Sequence, residues 1–201
     1  MPRILFIAAH RPDRSPSQRY RFEQFMPCWE DAGFHCDMAW IIDEDDDPRF
    51  YRPGGLLAKS RIFLKGRKRR GEHVRRAKDY DLIFLQREAF MTHSTSFERE
   101  LAATGVPMIY DFDDAIWLLD VSQGNRKLRW LKDPGKTARI IPLATTVIAG
   151  NGFLADYARA LHKHVEVIPT VIDTERYQPI SQRKDKDAPV TIGWTGSHTG
   201  I

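Results

Sequence analysis

The chain has 201 residues, 42% of them hydrophobic, with 31 Lys and Arg against 27 Asp and Glu for a net charge of +4. That is enough apolar material for one substantial core without disulfide or metal staples. No uninterrupted apolar stretch approaches the ~20 residues that cross a bilayer, and sparse aromatic interleaving among abundant acids argues against a nucleic-acid surface. Cys28 and Cys36 lack companion Cys or His spacing, so neither a disulfide framework nor a zinc site is indicated and a reducing, cytoplasmic setting is expected. The N-terminal apolar run is too short for a signal peptide and ends in charge.

In chain order, "RILFIAAH" (3–10) predicts a strand buried on both faces. A polar loop, "RPDRSPSQ", leads into a helical pattern over 19–33, with Pro27 as a kink and Gly33 as its stop. "FHCDMAWII" (34–42) is a second strand, followed by the acidic run "DEDDD" (43–47) and a basic stretch through Lys78. "DLIFLQRE" (81–88) is a third strand. A helix should start at Ser96, a capping-box position with Arg99 where Glu or Gln would complete it, and stop at Gly105.

"VPMIYDF" (106–112) is the fourth strand, and a helix falls within 133–144. A fifth strand at 145–151, a helix at 153–163 and a sixth strand at 165–170 complete the unit. Strands alternating with amphipathic stretches predict an α/β, doubly wound parallel sheet with helices on both faces. Beyond Asp173 the texture becomes polar and charged between prolines. The expected organisation is a Rossmann-like domain over 1–177, an interdomain linker over 178–189, and over 190–201 the first strand and Gly-rich loop of a second α/β domain, truncated.

Ligands of open parallel sheets bind beyond the carboxyl ends of the strands, where strand order reverses. At the fourth of these ends stand Asp111, Asp113 and Asp114, and at others Arg19, Arg21 and Arg87. Three carboxylates within four residues repel one another unless a cation is supplied. They fit several chemistries. An aspartate can simply cap the next helix. "MIYDFDDA" matches the start of the "DxDx[TV]" signature of magnesium-dependent haloacid-dehalogenase-type phosphohydrolases, with Asp111 as nucleophile and Asp113 as acid/base, although Ala115 stands where a hydroxyl or β-branched residue belongs. "DxD" also occurs in metal-dependent sugar transferases. A non-catalytic carbohydrate- or anion-binding domain would use the same crevice.

The order and spacing of several motifs point further. "VIPTVIDTERYQP" (167–179) resembles the "viPnGvDterF.P" junction of GT-B glycosyltransferases of the retaining family 4, or group 1, and "VTIGWTGSHTG" resembles the opening of their donor domain. "TTVIAGNGFLADYAR", "IYDFDDAIW" and "SQRYRFEQFMP" are similar to a bacterial subgroup carrying "vyDiDDaiw" and "vivGNeyLa.yA". The resemblance spans essentially the whole chain.

It implies an acceptor-binding domain of an enzyme of polysaccharide biosynthesis, moving a sugar from a nucleotide-sugar co-substrate to a saccharide or lipid-linked acceptor, without a tightly bound metal. The family's "E-x7-E" donor motif is not in the chain, so no activity is expected of these residues alone. On this reading the acceptor would meet Arg19, Arg21, Arg87, Asp111, Asp113 and Asp114, with Asp113 and Asp114 the catalytic candidates. Gly193, Gly196, Ser197, His198 and Thr199 would approach the donor diphosphate. Other members often present a histidine near the end of the fourth strand. Acids stand there here, which favours acceptor positioning over general-base chemistry. The segment 56–78, with Leu56, Leu57, Ile62, Phe63 and Leu64 among many cations, has the composition of a stretch lying on an anionic membrane surface, and equally of a solvated helix face.

Overall fold

The computed structural model describes residues 1–52, 54–118, 133–178 and 193. Six parallel strands, β1 (Arg3–Ile7), β2 (His35–Ala39), β3 (Leu82–Gln86), β4 (Met108–Phe112), β5 (Thr146–Ala149) and β6 (Val165–Val167), form one sheet in the order β2-β1-β3-β4-β5-β6. The chain moves outward from β1 to β2, then returns to place β3 on β1's other side. The carboxyl ends of β1 and β3 therefore flank the point where strand order reverses.

Period-2 alternation on β1 builds a core on each face. Ile4, Phe6 and Ala8 join Phe22 and Phe84 on one side, where Phe6 lies 5.1 Å from the Phe22 ring and 5.3 Å from that of Trp29. That face is covered by α1 (Pro16–Arg21) and α2 (Met26–Asp31). Leu5 and Ile7 point to the larger core, packed by α4 (Leu56–Arg76), α5 (Ser96–Ala102), α6 (Lys136–Ile140) and α7 (Gly152–Arg159). A five-residue helix, α3 (Asp47–Tyr51), leads into α4.

The strands end earlier than their apolar runs, the first at Ile7 and the sixth at Val167, although Ala8 still donates to the Ala39 carbonyl at 3.1 Å and Ile168 to that of Ala149 at 3.0 Å. The helical pattern over 19–33 is not one helix. A 3-10 turn at Glu23–Phe25 separates α1 from α2, and Pro27 occupies an opening position of α2, where its missing N–H costs nothing. Ser96 is likewise not a cap: Thr95 precedes α5, and no side chain caps it.

The basic segment 56–78 is the longest helix, 21 residues or about 31 Å at 1.5 Å per residue. Its buried stripe is Ile62, Gly66, Arg70 and Val74. Gly66 lets the helix cross the end of β2, since a Cβ there would lie 3.3 Å from the Ile41 carbonyl oxygen. The acidic run pins the same helix. Asp43 takes Arg69 and Lys65 (2.9 Å), and Lys65 also reaches Asp46 at 2.7 Å. Asp47 instead binds Arg11 and Arg14 of the loop after β1.

Candidate functional site

One face of α1 clasps the end of β4. Ser17 and Arg21, four residues apart, lie on the same side of the helix. Ser17 Oγ donates to Asp113 at 2.6 Å, and Arg21 Nε reaches both oxygens of Asp111 at 3.2 Å. The Arg21 and Asp111 side chains are only 2% and 1% exposed. Arg21 also donates to the Ile168 carbonyl and approaches Thr170 Oγ1 at 3.4 Å, tying the chain after β6 to α1. Burial pushes the Asp111 carboxyl up to about 6, with Arg21 opposing and Asp113 reinforcing.

The other oxygen of Asp113, and Asp114, meet Arg87. Arg87 donates to Asp113 from Nε at 3.1 Å and Nη2 at 2.9 Å, and to Asp114 from Nη2. Asp113 is 12% exposed and Asp114 65%. Arg87 has φ +59, a left-handed conformation that costs a non-glycine residue of order 1–2 kcal/mol. The strain closes a three-residue turn in which the Glu88 N–H donates to the Gln86 carbonyl at 2.7 Å, while the Arg87 N–H donates to the Asp111 carbonyl at 2.8 Å. The turn directs Arg87 over the aspartates and Glu88 toward Lys136, whose ammonium lies 2.7 Å from Glu88 and 3.3 Å from the fully buried Glu98. Burial alone would lower the Arg87 pKa, but Asp113 and Asp114 outweigh it and hold the guanidinium above its ordinary value.

Gly150, after β5, completes the wall: a Cβ there would stand 3.1 Å from the Cα of Asp113. Gln86, buried at the end of β3, donates to Ser17 Oγ at 2.7 Å. The strand ends thus bring carboxylates and a guanidinium together at the reversal point, braced from behind by the Ser17 hydroxyl and the buried Gln86 amide.

Of the sequence-expected residues, Asp113, Asp114 and Arg87 come together at the surface of the crevice. Arg21 and Asp111 come together beneath it, paired and closed to solvent. Arg19 turns outward, bonded to Asp13 at 3.1 Å, and lines a separate cleft of about 510 Å³ on the outer side of α1 with Tyr20 and Tyr177. That cleft is not over the aspartates, and the convergence of polar groups places the candidate site at the strand ends. Gly193 is exposed. Gly196, Ser197, His198 and Thr199, and most of 178–201, lie outside the described residues. Among the described residues no group of three His, Cys, Asp or Glu is arranged to hold a metal ion. Both cysteines are free.

Ser17, Gln18, Gln86, His10 and Arg70 were not singled out by the sequence. The spacing of Ser17 to Arg21 carried a signal. So did Arg70, in register with the buried stripe of α4. Arg70 is completely buried, donates to the carbonyls of Ala8 (2.6 Å) and Ala39 (3.1 Å), and caps the ends of β1 and β2. Burial lowers its pKa to about 9, with Glu98 opposing.

Comparison with protein-family models gives no match, and no curated protein matches the chain.

Proposed function

We propose that the chain is the acceptor-binding domain of a GT-B, family 4-like glycosyltransferase, in which the crevice at the ends of β1, β3 and β4 holds a saccharide or lipid-linked acceptor for a nucleotide-sugar donor, with retention at the transferred sugar. The carrying observation is the pair Asp113 and Asp114, presented on Arg87 at the reversal point of an all-parallel sheet. Asp114, 65% exposed, is open to sugar hydroxyls that can donate to it, while Asp113, 12% exposed and held by Ser17 and Arg87, fixes the adjoining wall. Asp111 has a different part: it is closed off by Arg21 and orders the wall. The motif resemblance along the chain supports the same reading.

The phosphohydrolase alternative needs Asp111 to attack a phosphate. An oxygen already engaged by a buried guanidinium, in a side chain 1% exposed, is badly placed for that. The test is incubation of the full gene product with a panel of nucleotide sugars and saccharide acceptors, reading release of the nucleoside diphosphate. Asp113→Asn and Asp114→Asn should raise the acceptor KM while leaving donor affinity unchanged. Unchanged acceptor kinetics would remove both from the site. Sugar binding without turnover would support a purely binding domain.

A lipid surface is a fitting partner. Leu56, Leu57 and Leu64 are 80%, 87% and 63% exposed, next to the cations Lys59, Arg61 and Lys68. Lys65 and Arg69 are paired with Asp43 and Asp46 and Arg70 is buried, so the docking edge is the start and outer side of α4 rather than the whole basic run. Co-sedimentation with anionic liposomes should fall with salt and with Leu56→Ser/Leu57→Ser. Equal binding to neutral vesicles would rule out electrostatic docking.

A further inference from the structure

His10 stands three residues beyond β1, and Arg87 immediately follows β3. Because Ile7 pairs with Leu85, the two residues leave adjacent strand ends across the reversal point. The main chain of His10 is held on both sides by one side chain. Gln18 accepts from the His10 N–H at 2.9 Å and donates to the His10 carbonyl at 2.9 Å, and it is itself 1% exposed. A buried amide engaged this way fixes the backbone from which the imidazole projects.

The ring itself is little engaged. Its Nδ1 is 3.4 Å from the Tyr51 hydroxyl, at the long limit of a hydrogen bond, and among the described residues Nε2 has no partner. In the neutral ring with the proton on Nδ1, an Nε2 without a protein partner is an acceptor. The charged and titratable groups facing it are Arg11 and Arg14 of the following loop, Asp47 and Tyr51 of α3, and Arg87.

We propose that His10 is a substrate-binding residue of the crevice: with Nδ1–H toward Tyr51, the uncharged imidazole accepts at Nε2 a hydrogen bond from an acceptor hydroxyl held beside Asp113 and Arg87. The inference rests on the acceptor reading above. Burial, then Arg14, lowers the pKa of the ring, with Arg87 and Arg11 adding to this and Asp47 opposing, so the accepting form persists at neutral pH. Protonation converts Nε2 to a donor and removes the contact.

The test uses the 201-residue chain, labelled with 15N, and methyl glycosides of glucose, galactose, mannose and N-acetylglucosamine as probes, followed by histidine-ring and amide NMR from about pH 4 to pH 8. A probe that binds should shift His10 Nε2 and the Arg87 and Asp113 signals together, and its affinity should fall about tenfold as His10 titrates. His10→Gln, which keeps an acceptor, should retain binding within about threefold and lose the pH dependence, whereas His10→Phe should lose about tenfold; unchanged amide dispersion establishes folding. Shifts at Arg87 and Asp113 without His10, full affinity in His10→Phe, or a ring that titrates at or above the ordinary 6.5 would overturn the inference and leave the acceptor reading standing. Probes that perturb none of the three residues would overturn both.

Discussion

The acidic run behind β2, Asp43 to Asp47, and the aspartates behind β4, Asp111 to Asp114, stand at the same edge of one sheet, yet they are neutralised in different ways. The first run meets long, flexible cations of α4 and the loop after β1 in partly exposed pairs that fasten elements together. The second is divided by the strand itself. Asp111 is turned inward onto a buried arginine, while Asp113 and Asp114 meet an arginine on strained backbone and remain in reach of solvent. Charge density alone does not distinguish a fastening from a site; the partners do, a fully buried pair at Arg21–Asp111 and a left-handed Arg87 setting the second run apart.

The largest effect should come from dividing the inward pair. Arg21→Met leaves a buried carboxylate and should destabilise the domain by about 3–5 kcal/mol in chemical denaturation, whereas Arg21→Met with Asp111→Leu should recover most of that. If the single replacement costs no more than a surface pair, the contrast between the two runs fails. Gly150→Ala comes next, at about 1–3 kcal/mol, because its Cβ meets the main chain of Asp113 and cannot be relieved by a rotamer. Its accompanying loss of acceptor use would tie the wall to the site.

Arg87→Gly should change stability by about 1 kcal/mol or less, since relief of the left-handed strain offsets the lost ion pairs. Acceptor use should nevertheless fall sharply, separating this cluster from the fastening one. Asp43→Asn, at the other run, should cost roughly 1 kcal/mol or less and leave acceptor kinetics unmoved.

Acid titration sharpens the comparison with opposite signs. The folded pKa of Asp111 is raised to about 6, above the ordinary 3.8, so the native state holds the extra proton and this contribution to stability is lost as pH rises from about 4 through 6. His73 on α4 is pushed down to about 4 by burial and then by Arg70, Arg69 and Arg76. The unfolded state therefore binds that proton first, and the His73 contribution is lost as pH falls from about 6.5 to 4. Stability of His73→Gln should depend less on acid than the parent, and that of the Arg21→Met, Asp111→Leu double variant should rise relative to the parent as pH increases. Parallel curves for parent and variants would contradict these assignments.

Much of this architecture was legible. Short unbroken apolar runs such as "ILFI" and "LIFL", bounded by polar residues, read as strands covered on both faces, and their alternation with helix-length segments leads to a parallel doubly wound sheet. Segment ends were less legible. The break between α1 and α2 and the missing cap at Ser96 depend on how the chain is pulled onto Phe6 and the α5 contacts, which local propensity does not encode. At the site, Asp111, Asp113, Asp114 and Arg87 could be named from their strand ends. Their pairing could not, nor could the part of Ser17, because those partners are far away in sequence and meet only when α1 folds across β4, while the Gln18 clamp on His10 depends on how the loop after β1 turns back onto α1.

The sequence by itself determined the class of fold and the edge at which polar chemistry gathers, since hydrophobic period and strand polarity are local properties. Only the tertiary structure decided which aspartate is shut away and which faces the crevice. Burial and ion pairing depend on which helix crosses which strand end: Arg21 of α1 encloses Asp111, and the strained turn at Arg87 pairs with a largely covered Asp113 and an exposed Asp114.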